Sequence, residues 1–397
     1  MSEYQYYEFQ AIDRPLDQRE MAELRALSSR ATITPTRFVN VYNWGDLRGD
    51  PAALMETYFD LFVYIANWGT HRLMLRLPRR LLDPRTAARY CVADDAQART
   101  AGDYVILEFL SQQEPDGWID DGEGEGWMLA LLPLRAELAD GDLRGLYLGW
   151  LLCAQSGELD DDVVEPLPPP GLATPSAAQQ ALADFLRVDG DLLAVAAEHS
   201  PRGDDMHPSR SAMERWLGGL AESEKTALLL RLLEGGDPHL RSELLQRFRA
   251  ATTAAPDREN AGEAGRRTVG QLRAAAERRA SARLRAEAER AAQERARRER
   301  EQAAARAAHL MRLADHEAET WQRVDTLIAT KRPADYDEAV RLLTDLRDLH
   351  AQGGRTATFE ARLGGLREQH ARKPSLVQRL DRAGLGTRPG TDARDER

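Results

Sequence analysis

Hydrophobic and polar residues alternate between extended and helical patterns over the first 160 residues of the chain. The aromatic run YQYYEFQAI and the run TRFVNVYNW have the composition of half-buried strands. In RLMLRL, Leu73, Leu75 and Leu77 fall on one face, and Arg72 and Arg76 fall on the other. This period of two predicts an antiparallel strand with one solvated side.

Helical patterns separate these strands. Residues 17–28 repeat apolar side chains at three-residue spacing, and PAALMETYFDLFVYI, residues 51–65, is predicted as one helix. VILEFL, residues 105–110, and WMLALL, residues 127–132, are predicted as a pair of strands, followed by the buried helix LRGLYLGWLLCAQ. Strands outside a regular βαβ alternation predict an α+β fold with an antiparallel sheet.

Beyond residue 160 the strand patterns stop, and composition divides the chain. DDDVVEPLPPPGLATPS is acidic and then proline-rich, which favours an extended linker. A second polar stretch, at 251–267, has few apolar residues, which favours a flexible linker. The sequence therefore predicts an α+β domain at 1–160, a Pro-rich linker at 161–176, a small helical bundle at 177–250, a flexible linker at 251–267, a long charged helix or coiled coil at 268–331, a helical hairpin domain at 333–385 and a disordered tail at 386–397.

The long helix is the most informative of these segments. Residues 271–331 contain neither glycine nor proline, and Arg–Glu pairs such as Arg297/Glu301 add about 0.2–0.5 kcal/mol each. The seam spaced by four is mostly alanine, with Leu284 as its large residue, whereas a stable coiled coil needs large apolar residues. A weak coiled coil, a single or bundle-packed helix and partial disorder all stay open. Because large apolar residues return only at Leu310, we expect the proximal half to project from the folded body.

Charge is distributed unevenly along the 397 residues, whose net charge is −11. Residues 1–265 hold 25 basic and 44 acidic side chains, or −19, and residues 266–397 hold 29 and 21, or +8. This asymmetry could dock the tail on its own body, join two copies head to tail, or reflect two independent surfaces. Residues 266–312 hold fourteen Arg against six Glu, which also allows a contact with nucleic acid. No aromatic residue interleaves these arginines, so base stacking is unsupported.

The sequence also predicts where the protein is found. It has no apolar run of the roughly 18 residues that a membrane span needs, and MSEYQYYEFQ lacks the regions of a signal peptide. Cys91 and Cys153 are far apart, without the short spacing of zinc sites. We therefore expect a cytoplasmic protein that has buried thiols and no membrane contact.

Candidate chemistry is sparse. The acidic loop at 112–123 matches a calcium-binding EF-hand loop in part, but Gln112 stands where aspartate is expected, which favours an ordinary hairpin loop. The stretch Asn-Trp-Gly-Thr-His at 67–71 could line a cleft or form a structural turn. His309 and His316 are too far apart on one helix to share a metal. Phosphate-binding and nucleophile motifs are absent from the sequence, so we expect no metal and no cofactor, and the catalytic residues stay unknown.

The opening stretch MSEYQYYEFQAIDRPL, together with FVNVYNWGD and LMLRLPRRLLD, resembles a family of hypothetical bacterial proteins over the whole chain. The resemblance implies a bacterial protein of the cytoplasm and implies no activity or cofactor. The linkers, the charge asymmetry and the absent motifs favour a scaffold or adaptor that contacts a protein partner or itself through helical and coiled-coil regions. The alternatives are an enzyme with a site in the N-terminal α+β domain and a nucleic-acid-associated protein that uses the Arg-rich helix.

Overall fold

The structure is a computed structural model that describes residues 4–113, 124–203, 209–235, 237–252 and 266–386. The chain divides into two compact units, Met1–Arg283 and Leu284–Arg397, each with its own hydrophobic core. The acidic loop predicted at 112–123 lies almost entirely outside the described residues, as do most of the flexible linker predicted at 251–267 and the predicted tail. The division of the chain into seven segments stays a prediction.

The first unit is built on one antiparallel sheet of seven strands in the order β2-β3-β1-β4-β5-β7-β6. The predicted α+β fold with an antiparallel sheet, followed by a helical region with a long helix, is therefore confirmed. The strands are β1 (Gln5–Gln10), β2 (Thr32–Thr34), β3 (Arg37–Tyr42), β4 (Leu61–Ala66), β5 (Thr70–Pro78), β6 (Ala96–Ala101) and β7 (Tyr104–Gln112).

Helices cover both faces of the sheet and form the rest of the described chain. They are α1 (Gln18–Leu27), α2 (Pro51–Thr57), α3 (Pro84–Ala87), α4 (Trp127–Leu131), α5 (Pro133–Ala139), α6 (Arg144–Ser156), α7 (Ala177–Leu186), α8 (Gly190–Ala197), α9 (Arg210–Gly219), α10 (Glu222–Glu234), α11 (Leu240–Thr252), α12 (Val269–Asp315), α13 (Glu317–Ala329), α14 (Pro333–Gln352), α15 (Thr356–Gln369) and α16 (Pro374–Arg382).

The alternation of side chains along the strands gives each face of the sheet a core of its own. Val63 of β4 points into a large core that it shares with Trp150 of α6 and with other residues of α4 to α8. Phe62, its neighbour in β4, points the other way and packs with Leu24 of α1 and Met55 of α2. The central strands are therefore apolar on both sides.

The helix predicted over 51–65 is wrong in its second half. The chain leaves α2 and turns at Asp60 into β4, the central strand. The Asp60 carboxylate stabilises this turn, because it accepts hydrogen bonds from the backbone N–H groups of Ile12 at 2.7 Å and Asp13 at 3.0 Å. Arg76, predicted on a solvated face, is instead buried and lies 2.9 Å from the same carboxylate. Because both faces of β4 are buried, its sequence lacks the alternation that marks a strand.

The strand predicted over 127–132 is also wrong, because this run forms α4. A short apolar run has no periodicity that separates a buried strand from a buried helix. Gly126 begins this helix in the left-handed region at φ +96°, and Pro133 occupies the first position of α5. The partner of β7 at the edge of the sheet is instead β6, whose polar sequence was not predicted as a strand.

The first part of α12 is packed on the sheet unit and does not project from it. Val269 and Leu272 are fully buried in the large core. Just before the helix, Arg267 makes a two-pronged ion pair of 2.8 Å with the buried carboxylate of Glu165. Arg273 donates to the carbonyl of Ala154 at 2.6 Å. The predicted projection is therefore wrong for residues 269–276, because a few large residues at the beginning of the helix suffice to anchor it.

The second unit has a separate helical core. The side chain of Trp321 in α13 is buried against the Phe359 ring of α15, with 5.9 Å between ring centroids. The end of α12 joins this core through Leu310. The Arg306 guanidinium contacts Asp345 and lies 2.6 Å from Asp348 of α14. This part of α12 is therefore integrated in the second unit.

Candidate binding site

The candidate site is a groove formed by α9, α10 and α11 with the body of the first unit. None of the residues of α9 and α10, all of which the structure describes, is buried. This is unusual for α10, whose sequence TALLLRLLE contains five leucines. An apolar helix in a monomeric protein normally buries such a face, so this exposed face makes the region the candidate site.

The third helix, α11, anchors this region to the body. Arg241 and Ser242 contact the Asp140 carboxylate at 2.8 and 2.6 Å, and Gln246 donates to the carbonyl of Ala139 at 2.6 Å. Phe248 is buried and meets the ring of Trp216 in α9 edge to face, with 5.7 Å between centroids. These contacts hold the groove open between α11 and the other two helices.

The groove has a volume of about 1260 Å³. Its exposed apolar side chains include Leu229 and Leu232 of α10, which are 58% and 63% exposed. The other large apolar side chains that line it are Met213, Trp216, Leu217, Leu220, Leu228, Leu240, Leu244, Leu245 and Phe248. We call this set, with Leu229 and Leu232, the leucine groove.

The apolar surface of α10 continues outside the groove. Leu230 and Leu233 are 53% and 81% exposed and do not line it. At about 100° per residue, the arc from Leu232 through Leu229 and Leu233 to Leu230 covers roughly 160° of the helix. We call Leu230 and Leu233 the leucine ridge, since they form the outer edge of this arc.

Several of the charged residues around the leucine groove form ion pairs. Arg144 lies 2.7 Å from Asp142, and Lys225 lies 2.8 Å from Glu222. Behind the groove, the Arg231 guanidinium donates to Glu243 at 2.8 Å and holds the pKa of this carboxyl below its usual range. The surface that the groove leaves open to water is therefore mainly apolar.

The stretch predicted at 67–71 to line a cleft or form a turn forms the β4–β5 turn, in which Gly69 adopts the left-handed φ of +93°. The Asn67 carboxamide accepts the backbone N–H of Tyr4 at 3.1 Å, and His71 is buried. Thr70 lines a smaller cleft on the sheet. The stretch is therefore a structural turn, and its Thr70 also lines a cleft.

The two histidines considered on the long helix have separate partners. His309 lies 3.0 Å from the Asp345 carboxylate, and His316 lies 3.2 Å from Glu319. Within the described ranges, no group of three or more His, Cys, Asp or Glu side chains is placed to hold a metal ion. Neither histidine therefore marks a candidate metal centre.

The leucine groove itself was not predicted. The sequence identified residues 177–250 as amphipathic helices and assigned their apolar sides to the interior of a bundle. The available signal was the density of leucine in TALLLRLLE, which covers more of the helix than one packing face needs. Sequence patterns alone do not reveal whether such a helix has a partner inside its own chain.

Comparison with known proteins adds no family to this description. No protein-family model, no curated protein and no solved structure matches the chain. None of the helices in the described ranges has the length and apolar composition needed to cross a membrane. The geometry of the leucine groove is therefore the basis for a functional interpretation.

Proposed function

We propose that this protein is a scaffold that assembles with a second copy of itself through the leucine groove and the leucine ridge. The observation that carries the proposal is the broad exposed leucine surface of α10 beside an apolar groove. Complete burial of one leucine side chain contributes about 1.5–3 kcal/mol, so covering Leu229, Leu230, Leu232 and Leu233 favours association.

The two longest segments of the chain outside the described residues, 253–265 and 387–397, do not suit the groove. Residues 253–265 follow α11 directly, and their sequence TAAPDRENAGEAG offers only alanines as apolar side chains. Residues 387–397 contain one alanine and are otherwise polar, proline or glycine. Neither segment has a side chain large enough to fill a groove of this size.

A second copy covers more of the apolar surface than a single helix of another protein would. A helix lying in the groove would contact Leu229 and Leu232 and leave Leu230 and Leu233 in water. In a two-fold arrangement, the ridge of each copy can enter the groove of the other, which supplies concave and convex surfaces from the same sequence. Each of the four leucines then loses contact with water.

A coiled-coil contact through α12 is the second candidate. Leu284, the large residue of its alanine seam, is 57% exposed. Ala276, in the same seam, is already buried in the first unit, which shortens the seam available to a partner. The coiled coil therefore has less apolar surface to offer than α10.

The two interfaces are distinguished by matched substitutions and light scattering coupled to size-exclusion chromatography. The wild-type chain is expected at twice the chain mass at tens of micromolar. Leu229→Glu with Leu232→Glu is expected to give the monomer mass with an unchanged circular dichroism spectrum. Leu284 is another exposed leucine on a helix, and Leu284→Glu should leave the dimer intact. A monomeric wild type, or a dimer that only Leu284→Glu dissociates, would overturn the proposal.

A further inference from the structure

A second cleft, of about 400 Å³, lies on the sheet face that carries α1 and α2. Strand register places Tyr7, Tyr64, Arg72 and Leu110 side by side across β1, β4, β5 and β7. The next row along the face consists of Phe9, Phe62, Met74 and Glu108. Its three apolar side chains pack in the core beneath the two helices, whereas the tyrosine row is open. We call it the tyrosine cleft, with Asp46 from the loop before α2 and Glu108 of β7 as further lining residues.

The floor of the tyrosine cleft is held by the buried side chain of Gln5. Its Nε2 donates to the carbonyl of Gly45 at 2.7 Å, which fixes the amide orientation. Its Oε1 therefore accepts the phenol of Tyr64 at 2.8 Å. The Tyr7 hydroxyl is within hydrogen-bond distance of both Gln5 Oε1 and Asp46 Oδ1. It has one proton to donate, and the charged carboxylate of Asp46 is the stronger acceptor.

Both tyrosines present neutral phenols. Burial raises the pKa of Tyr64 to about 12, and burial also raises the pKa of Tyr7. Among the residues that the structure describes, the charged groups that line the cleft are therefore one guanidinium, Arg72, and two carboxylates, Asp46 and Glu108. These three groups are the charges available to a ligand.

The charged groups are only partly used by the protein itself. Arg72 donates its Nε to Glu108 Oε1 at 2.6 Å, and among the described residues its terminal nitrogens have no hydrogen-bond partner. Asp46 uses Oδ1 to accept from Tyr7 and from the backbone N–H of Leu47, and within the described residues its other oxygen has no partner. A planar guanidinium end is suited to a carboxylate, and a free carboxylate oxygen is suited to an ammonium group.

We propose that the tyrosine cleft binds a free α-amino acid with an apolar side chain. The carboxylate of the ligand lies on the terminal nitrogens of Arg72, and its ammonium group lies against Asp46 and Glu108. Its side chain packs on Tyr64, Leu47 and Leu110. The volume is at the small end of the range of about 300–1,000 Å³ that ligand sites occupy, which suits a molecule of this size.

The carboxylates explain why a zwitterion is favoured over a simple anion. With two carboxylates against one guanidinium, a dianion such as inorganic phosphate would enter a net negative site. A ligand that carries one charge of each sign pairs with both kinds of group. A ligand that lacks either charge leaves one side of the cleft without a partner.

The test is isothermal titration calorimetry on the full chain with L-phenylalanine, L-leucine and two analogues of phenylalanine. 3-Phenylpropionate lacks the ammonium group, and 2-phenylethylamine lacks the carboxylate. At least one amino acid should bind, and both analogues should bind at least tenfold more weakly than phenylalanine if phenylalanine is a ligand. Absence of binding by both amino acids, or an analogue that binds as tightly as phenylalanine, would overturn the proposal.

Variants assign the two ends of the ligand. Arg72→Gln should weaken amino-acid binding at least tenfold, and Asp46→Asn should do the same through the ammonium group. Arg99→Gln is the matched control, because Arg99 pairs with Glu56 on the same face of the sheet outside the cleft. If Arg72→Gln lowers the melting temperature too far for titration, the test rests on Asp46→Asn, because Asp46 lies in an exposed loop where the substitution should not disturb the fold. Binding that survives Asp46→Asn, or that Arg99→Gln weakens equally, would contradict the assignment.

Discussion

Arg187 donates a hydrogen bond from Nη2 to Nε2 of His71 across 3.0 Å. A guanidinium has no acceptor, so Nε2 must be unprotonated and the imidazole proton lies on Nδ1, which donates to the carbonyl of Phe185 at 2.7 Å. The same arginine donates to the carbonyls of Gly69 and Gln113. This pair therefore joins the end of α7 to the β4–β5 turn and to the end of β7, and it requires a neutral histidine.

Stability should depend on pH through His71. Burial lowers the pKa of His71 from 6.5 to about 4, and the charge of Arg187 acts in the same direction. The unfolded chain takes up this proton below pH 6.5 while the folded chain resists it, so stability is complete above pH 6.5 and falls as the pH drops toward 4. We expect a loss of about 2 kcal/mol in the free energy of unfolding between pH 7.5 and 5.

The matched variant is His71→Asn, whose amide nitrogen replaces the Nδ1 donor without a titrating proton. Urea unfolding at pH 5, 6 and 7.5 measures the free energy of both proteins. The variant should lose this part of the pH dependence, even if it is less stable at pH 7.5. An identical pH slope in both proteins would show that His71 is not the titrating group.

The anchoring of α12 gives a second prediction. Removing one partner of a buried ion pair leaves the other charge uncompensated and costs about 3–5 kcal/mol. Arg267→Ala should therefore strongly destabilise the first unit, because Glu165 is buried beneath it. Arg298→Ala, which removes an exposed pair with Glu294, is the control and should change stability by less than about 1 kcal/mol.

The same anchoring predicts where the first unit can be shortened. A chain that ends at Arg283 should keep the melting temperature of this unit, whereas one that ends at Ala250 lacks Val269 and Leu272 and should melt earlier. Differential scanning calorimetry compares the two. Equal melting temperatures would mean that the beginning of α12 contributes nothing to the core.

The second unit should lose stability independently of the first. Trp321 is fully buried, packs against the tilted ring of Phe359 and has the Arg362 guanidinium 4.2 Å from the centre of its ring. Truncating a buried aromatic residue to alanine costs about 3–5 kcal/mol, so Trp321→Ala should lower the unfolding midpoint of this unit by several degrees or more. Trp321→Phe should retain most of the stability. A calorimetric trace with no change in any transition would contradict this assignment of the core.

The sequence was sufficient for the fold class and for strands whose two faces differ. β5 was recognised because Leu73 and Leu75 share a face, and α6 because its apolar run is long. It failed at β4, where burial on both faces removes the alternation that marks a strand, and at α4, whose short run is apolar even at Leu129, which is 77% exposed. The tyrosine cleft depends on which residues become neighbours across the sheet, as Tyr7, Tyr64 and Arg72 do, and no local pattern contains that register.

The leucine surface of α10 illustrates a different limit. Local sequence gives the helix and its apolar face, but burial depends on tertiary contacts that the sequence pattern does not contain. Leu240 and Phe248 of α11 are buried within the first unit, whereas Leu229 and Leu232 of α10 are exposed. In the proposed dimer, a second copy supplies the missing partners.

Site-specific crosslinking shows whether two copies meet through α10. The native thiols are poor reactants, because burial raises the pKa of Cys91 and of Cys153 to about 12 each. Leu230 on the ridge is 53% exposed in the single chain, so Leu230→Cys can react with a short bis-maleimide before the copies associate and should give a crosslinked dimer on a denaturing gel. Leu284→Cys, an equally exposed control on α12, should stay monomeric. A dimer band for Leu284→Cys and none for Leu230→Cys would contradict the account and place the interface on the long helix.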